Sequence, residues 1–199
     1  MSEVIINTKI PLERLGVLLG QEGTTKKLIE KFLDVHIDVD SHTGDVLLKL
    51  NENAFDPSVL FTARDIITAI ARGFSPNKAL KLREEDFSLY VIDLRELVGR
   101  SRSNLNRVKG RVIGRGGKIR MMIEELTETD LSVYGHTISI IGGSSRVLTA
   151  REAVIMLVRG MEHKNVYQFL QRFRSELKKE KALLWEDVKK GREEMDAKK

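Results

Sequence analysis

The sequence predicts an α+β protein made of two copies of one small β-α-α-β-β-α unit, followed by a long C-terminal helix. Two segments of similar sequence recur along the chain, which indicates an internal duplication. Apolar residues alternate between strand spacing and helix spacing in the same order in both halves. They also recur at helical steps from Val166 to Val188. We therefore expect each unit to pack its helices on one face of a three-stranded sheet.

The duplication is visible at two places. "TARDIITAIARGF" (62–74) resembles "TAREAVIMLVRGM" (149–161), 87 positions later. "GQEG" (20–23) and "GRGG" (114–117) each follow an apolar pair and lie 94 positions apart. Because the two offsets differ by seven, the first copy has seven more residues between its glycine loop and its last helix. We expect these residues in the turn-rich segment 38–58. The predicted units are a first domain at 1–80, a second domain at 81–164 and a C-terminal helical extension at 165–199.

In the first copy, "EVIINTKI" (3–10) has strand composition, and "PLERLGVLL" (11–19) is predicted to be a helix with Pro11 at its first position. The glycine loop then leads into a second helix, "TTKKLIEKFL" (24–33). "VHIDVD" and "DVLLKL" alternate as half-buried strands around a Ser-His-Thr-Gly turn. The copy ends in a helix, whose core face is Val59, Ala63, Ile66, Ile67, Ile70 and Phe74.

The second copy repeats this order. It begins with a strand at 86–94, a short helix at 101–113 and, after the loop, a helix at 118–126. "LSVYG" and "TISIIG" are predicted strands. The closing helix is predicted to carry Val147, Val154, Val158 and Met161 on one face. Segment 74–86, which starts with Phe-Ser-Pro, is expected to join the two copies.

Composition excludes several classes of protein and site. Among the 199 residues there is no cysteine, which excludes disulfides and thiolate sites. The chain has no long apolar run and its first residues do not resemble a signal peptide, so a cytoplasmic protein is expected. The four histidines have no metal-pair spacing, and no order of catalytic residues stands out. We expect a non-enzymatic protein without cofactor or metal.

Positive charge is concentrated in one window. The formal net charge is only +5, but Leu97 through Ile123 contains eight Lys and Arg residues and no acid. In a chain that is 32% charged, such a window indicates a polyanion site rather than a solvated helix face. The matching region of the first copy mixes both signs and places Glu22 in its loop. We therefore predict that the second copy binds RNA and that the first is a scaffold or protein-docking module.

The loop 114–117 does not match the nucleotide-binding motifs. A P-loop requires Ser or Thr after its lysine, and Lys118 is followed by Ile119. A dinucleotide fold requires a strand before the glycines and a parallel sheet, neither of which is predicted here. A glycine turn between two helices instead lets a sugar-phosphate strand approach the backbone and the next helix N-terminus. Ile113, Ile123 and Val133 would supply an apolar floor for bases.

"VIGRGGKIRMMIEELT" (112–127) resembles the KH family, with its Val-Ile-Gly-x-x-Gly motif followed by Ile123 and Thr127 at the family's spacing. The resemblance implies type I KH domains that clamp about four nucleotides of a single strand. The chain departs from the family at Arg120, and at Lys26 in the first copy, where an apolar residue is usual.

The two-copy arrangement, together with residues 107–143, closely resembles the Pno/Dim ribosome-assembly proteins in their short archaeal-type form. This resemblance implies binding to the 3′ region of small-subunit ribosomal RNA. It also implies partnership with the endonuclease that matures that end, and with the alpha subunit of translation initiation factor 2. Two alternatives remain open: a general KH-type messenger RNA or translation regulator, and a non-catalytic subunit of an RNA-degrading complex.

The residues expected to bind RNA all lie in the second copy, in the basic window and on the adjacent strand. They are Arg107, Lys109, Arg111, Ile113, Gly114, Arg115, Gly116, Gly117, Lys118, Arg120 and Val133.

Overall fold

Two three-stranded antiparallel sheets, one in each repeat, form the frame of the molecule. The structure is a computed structural model that describes residues 5–51 and 56–196, with side chains up to residue 179. The first repeat consists of β1 (Ile5–Lys9), α1 (Leu12–Leu19), α2 (Thr24–Leu33), β2 (Val35–Val39), β3 (Asp45–Leu50) and α3 (Val59–Ala71). Its strand order is β1-β3-β2.

A short helix, α4 (Pro76–Ala79), leads to the second repeat, which has the strand order β4-β6-β5. Its elements are β4 (Phe87–Asp93), α5 (Leu94–Val98), α6 (Arg102–Ile113), α7 (Lys118–Thr127), β5 (Asp130–Tyr134), β6 (Thr137–Gly143) and α8 (Ser144–Val158). The chain continues as α9 (His163–Asp196). The prediction of two β-α-α-β-β-α units with a long C-terminal helix is confirmed.

Three sequence predictions were wrong in detail. Helix α1 begins at Leu12, because Pro11 has an extended ψ of 138° and precedes the helix. The strand predicted to reach Leu94 ends at Asp93, whose carboxylate accepts a hydrogen bond from the Arg95 N–H and caps the unpredicted helix α5. Met161 lies beyond the end of α8 with 46% of its surface exposed, so it is not part of the helix face.

The segment between the repeats is packed rather than a free linker. After α3, Phe74, Ala79 and Leu82 are all buried in the core of the first repeat. Ile141 of β6 belongs to the same core, and Phe87 and Leu89 of β4 pack against it. One face of the second sheet is therefore covered by the first repeat, while its other face holds the helices of its own repeat.

Helix α9 packs against α7 and α8 of the second repeat. Val166 and Leu170 are fully buried there, which confirms the predicted apolar stripe over this part of the helix. Leu184 and Val188, at the end of the predicted stripe, lie outside the described side chains. In the part of the chain that the structure describes, no helix is long and apolar enough to cross a bilayer.

Candidate nucleic-acid interface

The second glycine loop, residues 114–117, connects α6 to α7 through one tight turn. Gly114, Gly116 and Gly117 have positive φ values of 72°, 62° and 78°, which favour glycine. The Gly117 N–H donates to the Gly114 carbonyl at 3.2 Å. A Cβ atom at Gly114 would collide with Ile119, so the loop also needs glycine for close packing.

The outer side of this turn is open. A Cβ atom at Gly116 or Gly117 would have no atom within 4 Å, so an external group can approach the backbone closely. Arg115 and Lys118 stand exposed on either side of this surface. The first turn of α7 adds the positive end of its helix dipole, although the Gly117 and Lys118 N–H groups donate to carbonyls inside the turn. This combination suits the phosphates of a nucleic acid strand.

Apolar side chains lie beside the turn. Ile113, Ile119 and Val133 are partly exposed, and the last two pack on the core of the second repeat. Ile123, which was also expected in this floor, is fully buried and belongs to the core alone. The sequence pattern could not separate these isoleucines, because helical spacing is the same for a groove wall and for a core. The partly exposed residues form a surface on which unstacked bases can lie.

The basic residues around the turn differ in how free their charges are. Arg107, Arg115, Lys118 and Arg120 are exposed at the surface. Lys109 is half-buried, and its Nζ donates to the Gly135 carbonyl at 3.1 Å, which ties α6 to the turn between β5 and β6. The exposed members of this set place positive charge around the turn.

Arg111 has a structural function that the sequence did not reveal. Its guanidinium donates to the carbonyl oxygens of Leu157 at 3.2 Å and Met161 at 2.6 Å, so its charge lies at the C-terminal end of α8. Whether it also contacts RNA stays a prediction. In the first repeat, Arg14 donates to the carbonyls of Ile70 and Phe74 at the end of α3 in the same way.

Arg120 takes part in a polar chain that explains its departure from the family pattern. Its Nε lies 3.6 Å from Oε2 of Glu124, one turn later on α7. The other oxygen of Glu124 accepts the Leu131 backbone N–H at 2.9 Å, at the outer edge of β5. Lys78 also approaches Glu124, at 3.8 Å. Arg120 therefore supports the carboxylate that fixes the edge strand against α7.

The first repeat contains the same arrangement 94 positions earlier. Lys26 lies 3.8 Å from Glu30, and Glu30 accepts the Ile37 N–H at 2.9 Å.

In the second repeat, the outer edge of β5 also presents the backbone of Val133. Backbone groups alternate in direction along an antiparallel strand, so Val133, two residues after Leu131, turns its N–H and C=O outward as Leu131 does. Those outward groups lie beside the apolar surface and can hydrogen-bond to the edge of a base.

The loop of the first repeat has the same shape but a different charge. Glu22 occupies the position of Gly116 with a φ of 51°, a left-handed conformation that is uncommon for a residue with a Cβ. Its exposed carboxylate would stand where a phosphate approaches. This turn is therefore a poor anion site, although its backbone matches that of the second repeat.

The two repeats meet beside the second glycine loop. Ser132 donates through Oγ to the Arg72 carbonyl at 2.8 Å, and a Cβ at Gly73 would collide with Ser132 and Tyr134. The Tyr134 hydroxyl donates to the Glu13 carboxylate, and this bond raises the pKa of the tyrosine. Tyr134 thus lies at the contact between the repeats.

A cleft of about 370 Å³ runs along this contact and reaches Arg120 in the first turn of α7. It is lined by Arg14, Lys78, Arg120 and Val133 among others. Among the described side chains, which end at residue 179, no group of three or more His, Asp or Glu residues is placed to hold a metal ion.

Two family models match the chain. Residues 88–175 match a eukaryotic-type KH domain, KH type I, defined on the second KH domain of PNO1. Residues 14–85 match the Krr1 KH1 domain. Together these matches cover both repeats and the first part of α9. They confirm that each repeat is a KH unit.

Curated relatives and solved structures point to the same family. A KH domain-containing protein of Methanocaldococcus jannaschii is 45% identical over 89% of this chain and 77% of its own length. The pre-rRNA-processing protein PNO1 of Debaryomyces hansenii is 29% identical over 73% of this chain and 58% of its own length.

The crystal structure of an a/eIF2alpha–aDim2p–rRNA complex from Pyrococcus horikoshii contains a chain that is 40% identical to this one. The match has a TM-score of 0.82 and covers 87% of this chain and 96% of that chain. These similarities confirm that the chain is an RNA-binding protein with KH domains rather than an enzyme. Since the similarity extends through both repeats, the chain belongs to the Pno1/Dim2 family of tandem KH-domain proteins.

Proposed function

We propose that the chain is an RNA-binding ribosome-assembly factor that holds the 3′ region of small-subunit ribosomal RNA for cutting by a separate nuclease. The observation that carries this proposal is the difference between two turns of equal backbone shape. The turn at 114–117 is open and flanked by Arg115 and Lys118, whereas the turn at 20–23 carries Glu22. Only the second turn has the electrostatics of a phosphate site.

The RNA path follows from the positions of these groups. Backbone phosphates pass over Gly116 and Gly117, next to the first turn of α7. Bases lie on Ile113, Ile119 and Val133, and the outward backbone groups of Val133 reach their edges. Four exposed basic side chains lie near enough to the loop to neutralise phosphates: Arg107, Arg115, Lys118 and Arg120.

The ribosomal target is supported by the relatives. The Debaryomyces hansenii relative is named a pre-rRNA-processing protein, and the Pyrococcus horikoshii relative was crystallised with a/eIF2alpha and rRNA. By analogy, the partners of this chain are the endonuclease that matures the 3′ end and the alpha subunit of translation initiation factor 2. In this division of labour, residues 81–164 bind RNA, while residues 1–80 serve as a scaffold or protein-docking module.

The target is tested by fluorescence polarisation with two labelled RNA oligonucleotides of equal length. One carries the 3′-terminal sequence of small-subunit ribosomal RNA, and the other carries the same nucleotides in shuffled order. We expect tighter binding of the ribosomal sequence by about tenfold or more at physiological salt. Equal affinities would instead favour a general KH-type messenger RNA or translation regulator.

A separate experiment tests whether the protein itself cuts RNA. Purified protein is incubated with end-labelled precursor RNA and magnesium, with and without the maturation nuclease. We expect intact precursor with the protein alone and an altered cutting rate or position when the nuclease is added. Cleavage by the protein alone would overturn the binding-and-positioning mechanism.

A further inference from the structure

We propose that an exposed apolar strip on α2 of the first repeat docks an acidic amphipathic helix from a protein partner. The strip consists of Leu28 and Phe32, one helical turn apart, with 38% and 44% of their surfaces exposed. Lys27, Lys31 and Arg83 lie around it and are also exposed. The inference concerns the repeat without an anion-binding turn, so it does not depend on RNA binding.

The second repeat shows what covers this face of the fold. Met122 and Leu126 of α7 occupy the positions 94 residues after Leu28 and Phe32. There α9 packs across α7, Met122 is partly buried and Leu126 is only 4% exposed. The same face of the same unit is therefore built to accept an amphipathic helix.

The segment after α3 begins to cover the first repeat as α9 covers the second, but it then turns away from the strip. Ala79 and Val166 lie 87 positions apart, follow equivalent helices, and are both fully buried. Beyond this point α9 continues, whereas the chain of the first repeat turns away into β4. Arg83 is the last residue near the strip, with its guanidinium 4.0 Å from the Phe32 ring centroid. The strip thus stays open where the remainder of a helix would lie.

The charges around the strip indicate which kind of helix it binds. In the second repeat, Arg174 of α9 pairs with Glu125 of α7 at 3.3 Å. The residue equivalent to Glu125 in the first repeat is Lys31, so the sign of the charge is inverted. With Lys27 and Arg83 beside Lys31, this part of the strip repels an arginine and attracts a carboxylate. An acidic helix fits the strip better than α9 of a second copy of this chain does.

The test uses two helix-stapled peptides that copy residues 167–183. One keeps the native sequence, and the other carries Arg174→Glu and Lys178→Glu. Binding to the full-length chain is measured by fluorescence polarisation. We expect the acidic peptide to bind about threefold or more tightly than the native one, and Lys31→Glu in the protein to reverse this preference.

Two substitutions locate the site. Because Phe32 and Leu28 are exposed, Phe32→Ser and Leu28→Ser should fold normally, and each should weaken binding of the acidic peptide by about tenfold. Leu148→Ser, at an apolar residue on α8 that is 58% exposed, serves as the matched control and should change nothing. RNA affinity, measured on the same variants, should stay constant, which separates this inference from the proposed RNA function.

Three results would overturn the inference. The first is an acidic peptide that binds with a dissociation constant weaker than about 1 mM. The second is equal binding to the Phe32→Ser variant and to the native chain. The third is a dimer, detected by analytical ultracentrifugation, that Phe32→Ser dissolves, since the occupant would then be a second copy of the chain.

Discussion

Glu22 and Gly116 occupy the same position in the two repeated turns, with φ values of 51° and 62°. The turn has kept its shape in both repeats, although glycine is present at this position in only one of them. A residue with a Cβ in the left-handed region is strained, so the first repeat keeps this turn at an energetic cost.

Replacing Glu22 by glycine should therefore stabilise the protein. Removing the strain should raise the free energy of unfolding by about 1 kcal/mol, which urea denaturation followed by circular dichroism can resolve. Asp34 also has a φ of 52°, at a helix end, but its carboxylate accepts a hydrogen bond from Asn51 Nδ2 at 2.7 Å, so Asp34→Gly should stabilise the protein less than Glu22→Gly. A lower free energy of unfolding for Glu22→Gly would contradict the strain.

Arg111 and Arg107 should separate stability from RNA binding. Because the Arg111 guanidinium donates to two carbonyls at the end of α8, Arg111→Ala should lower the free energy of unfolding by about 1–3 kcal/mol. Arg107→Ala should leave it unchanged within about 0.5 kcal/mol, since the side chain is exposed.

The salt dependence of RNA affinity is the second readout for this pair. If Arg107 contacts a phosphate, Arg107→Ala should reduce the slope of log K against log salt by about 0.7 for single-stranded RNA. The assignment fails if Arg107→Ala unfolds the protein while Arg111→Ala leaves its stability intact.

Glu124 should matter more for stability than the arginine that it pairs with. Glu124→Ala removes the acceptor of the Leu131 N–H and should cost about 1–2 kcal/mol of unfolding free energy. Arg120→Ala should cost less than about 0.5 kcal/mol, because its side chain is 44% exposed. The matched variants Glu30→Ala and Lys26→Ala should show the same ranking in the first repeat, and the reverse ranking in both would contradict it.

The contact between the repeats should weaken in acid because of Asp130. Burial alone would raise the pKa of its carboxyl, but hydrogen bonds and charges from Lys78 and Lys81 outweigh burial and hold the pKa below the ordinary 3.8. A lowered pKa in the folded state means that the stabilisation is present above about pH 4 and is lost as the pH falls through the folded value.

Asp130→Asn should therefore flatten the stability profile below about pH 4, measured by thermal unfolding at a series of pH values. Exposed Asp86 is a control position at which Asp86→Asn should leave the profile unchanged. An unchanged slope for Asp130→Asn would show that its ion pairs contribute nothing.

Local patterns predicted the elements and the glycine turn well. The helix at 24–33 has the predicted ends, and glycine at 114, 116 and 117 is favoured by the positive φ values of a local turn. A repeated order of strand and helix spacings was sufficient for the topology, because each copy supports the interpretation of the other.

Tertiary contacts explain the errors. Segment 74–86 was expected only to join the two copies, but Phe74, Ala79 and Leu82 are buried in a core that also includes Ile141 of the second sheet. The direction of the Arg111 guanidinium depends on where α8 ends, which sequence spacing does not show. Arg14 and Arg111 make equivalent contacts in the two repeats, with carbonyls that lie 87 positions apart in the sequence. The two arginines are 97 positions apart, whereas the helices that carry them are offset by 94. Aligning the helices therefore does not pair the two arginines.

The proposed difference between the two turns is tested most directly by RNA affinity of two reciprocal charge variants, Gly116→Asp and Glu22→Lys. Filter binding with a single-stranded RNA is measured alongside circular dichroism, so that unfolding is recognised. We expect Gly116→Asp to abolish most of the binding and Glu22→Lys to leave the affinity nearly unchanged. The opposite ranking, with both variants folded, would contradict the assignment of RNA binding to the second repeat.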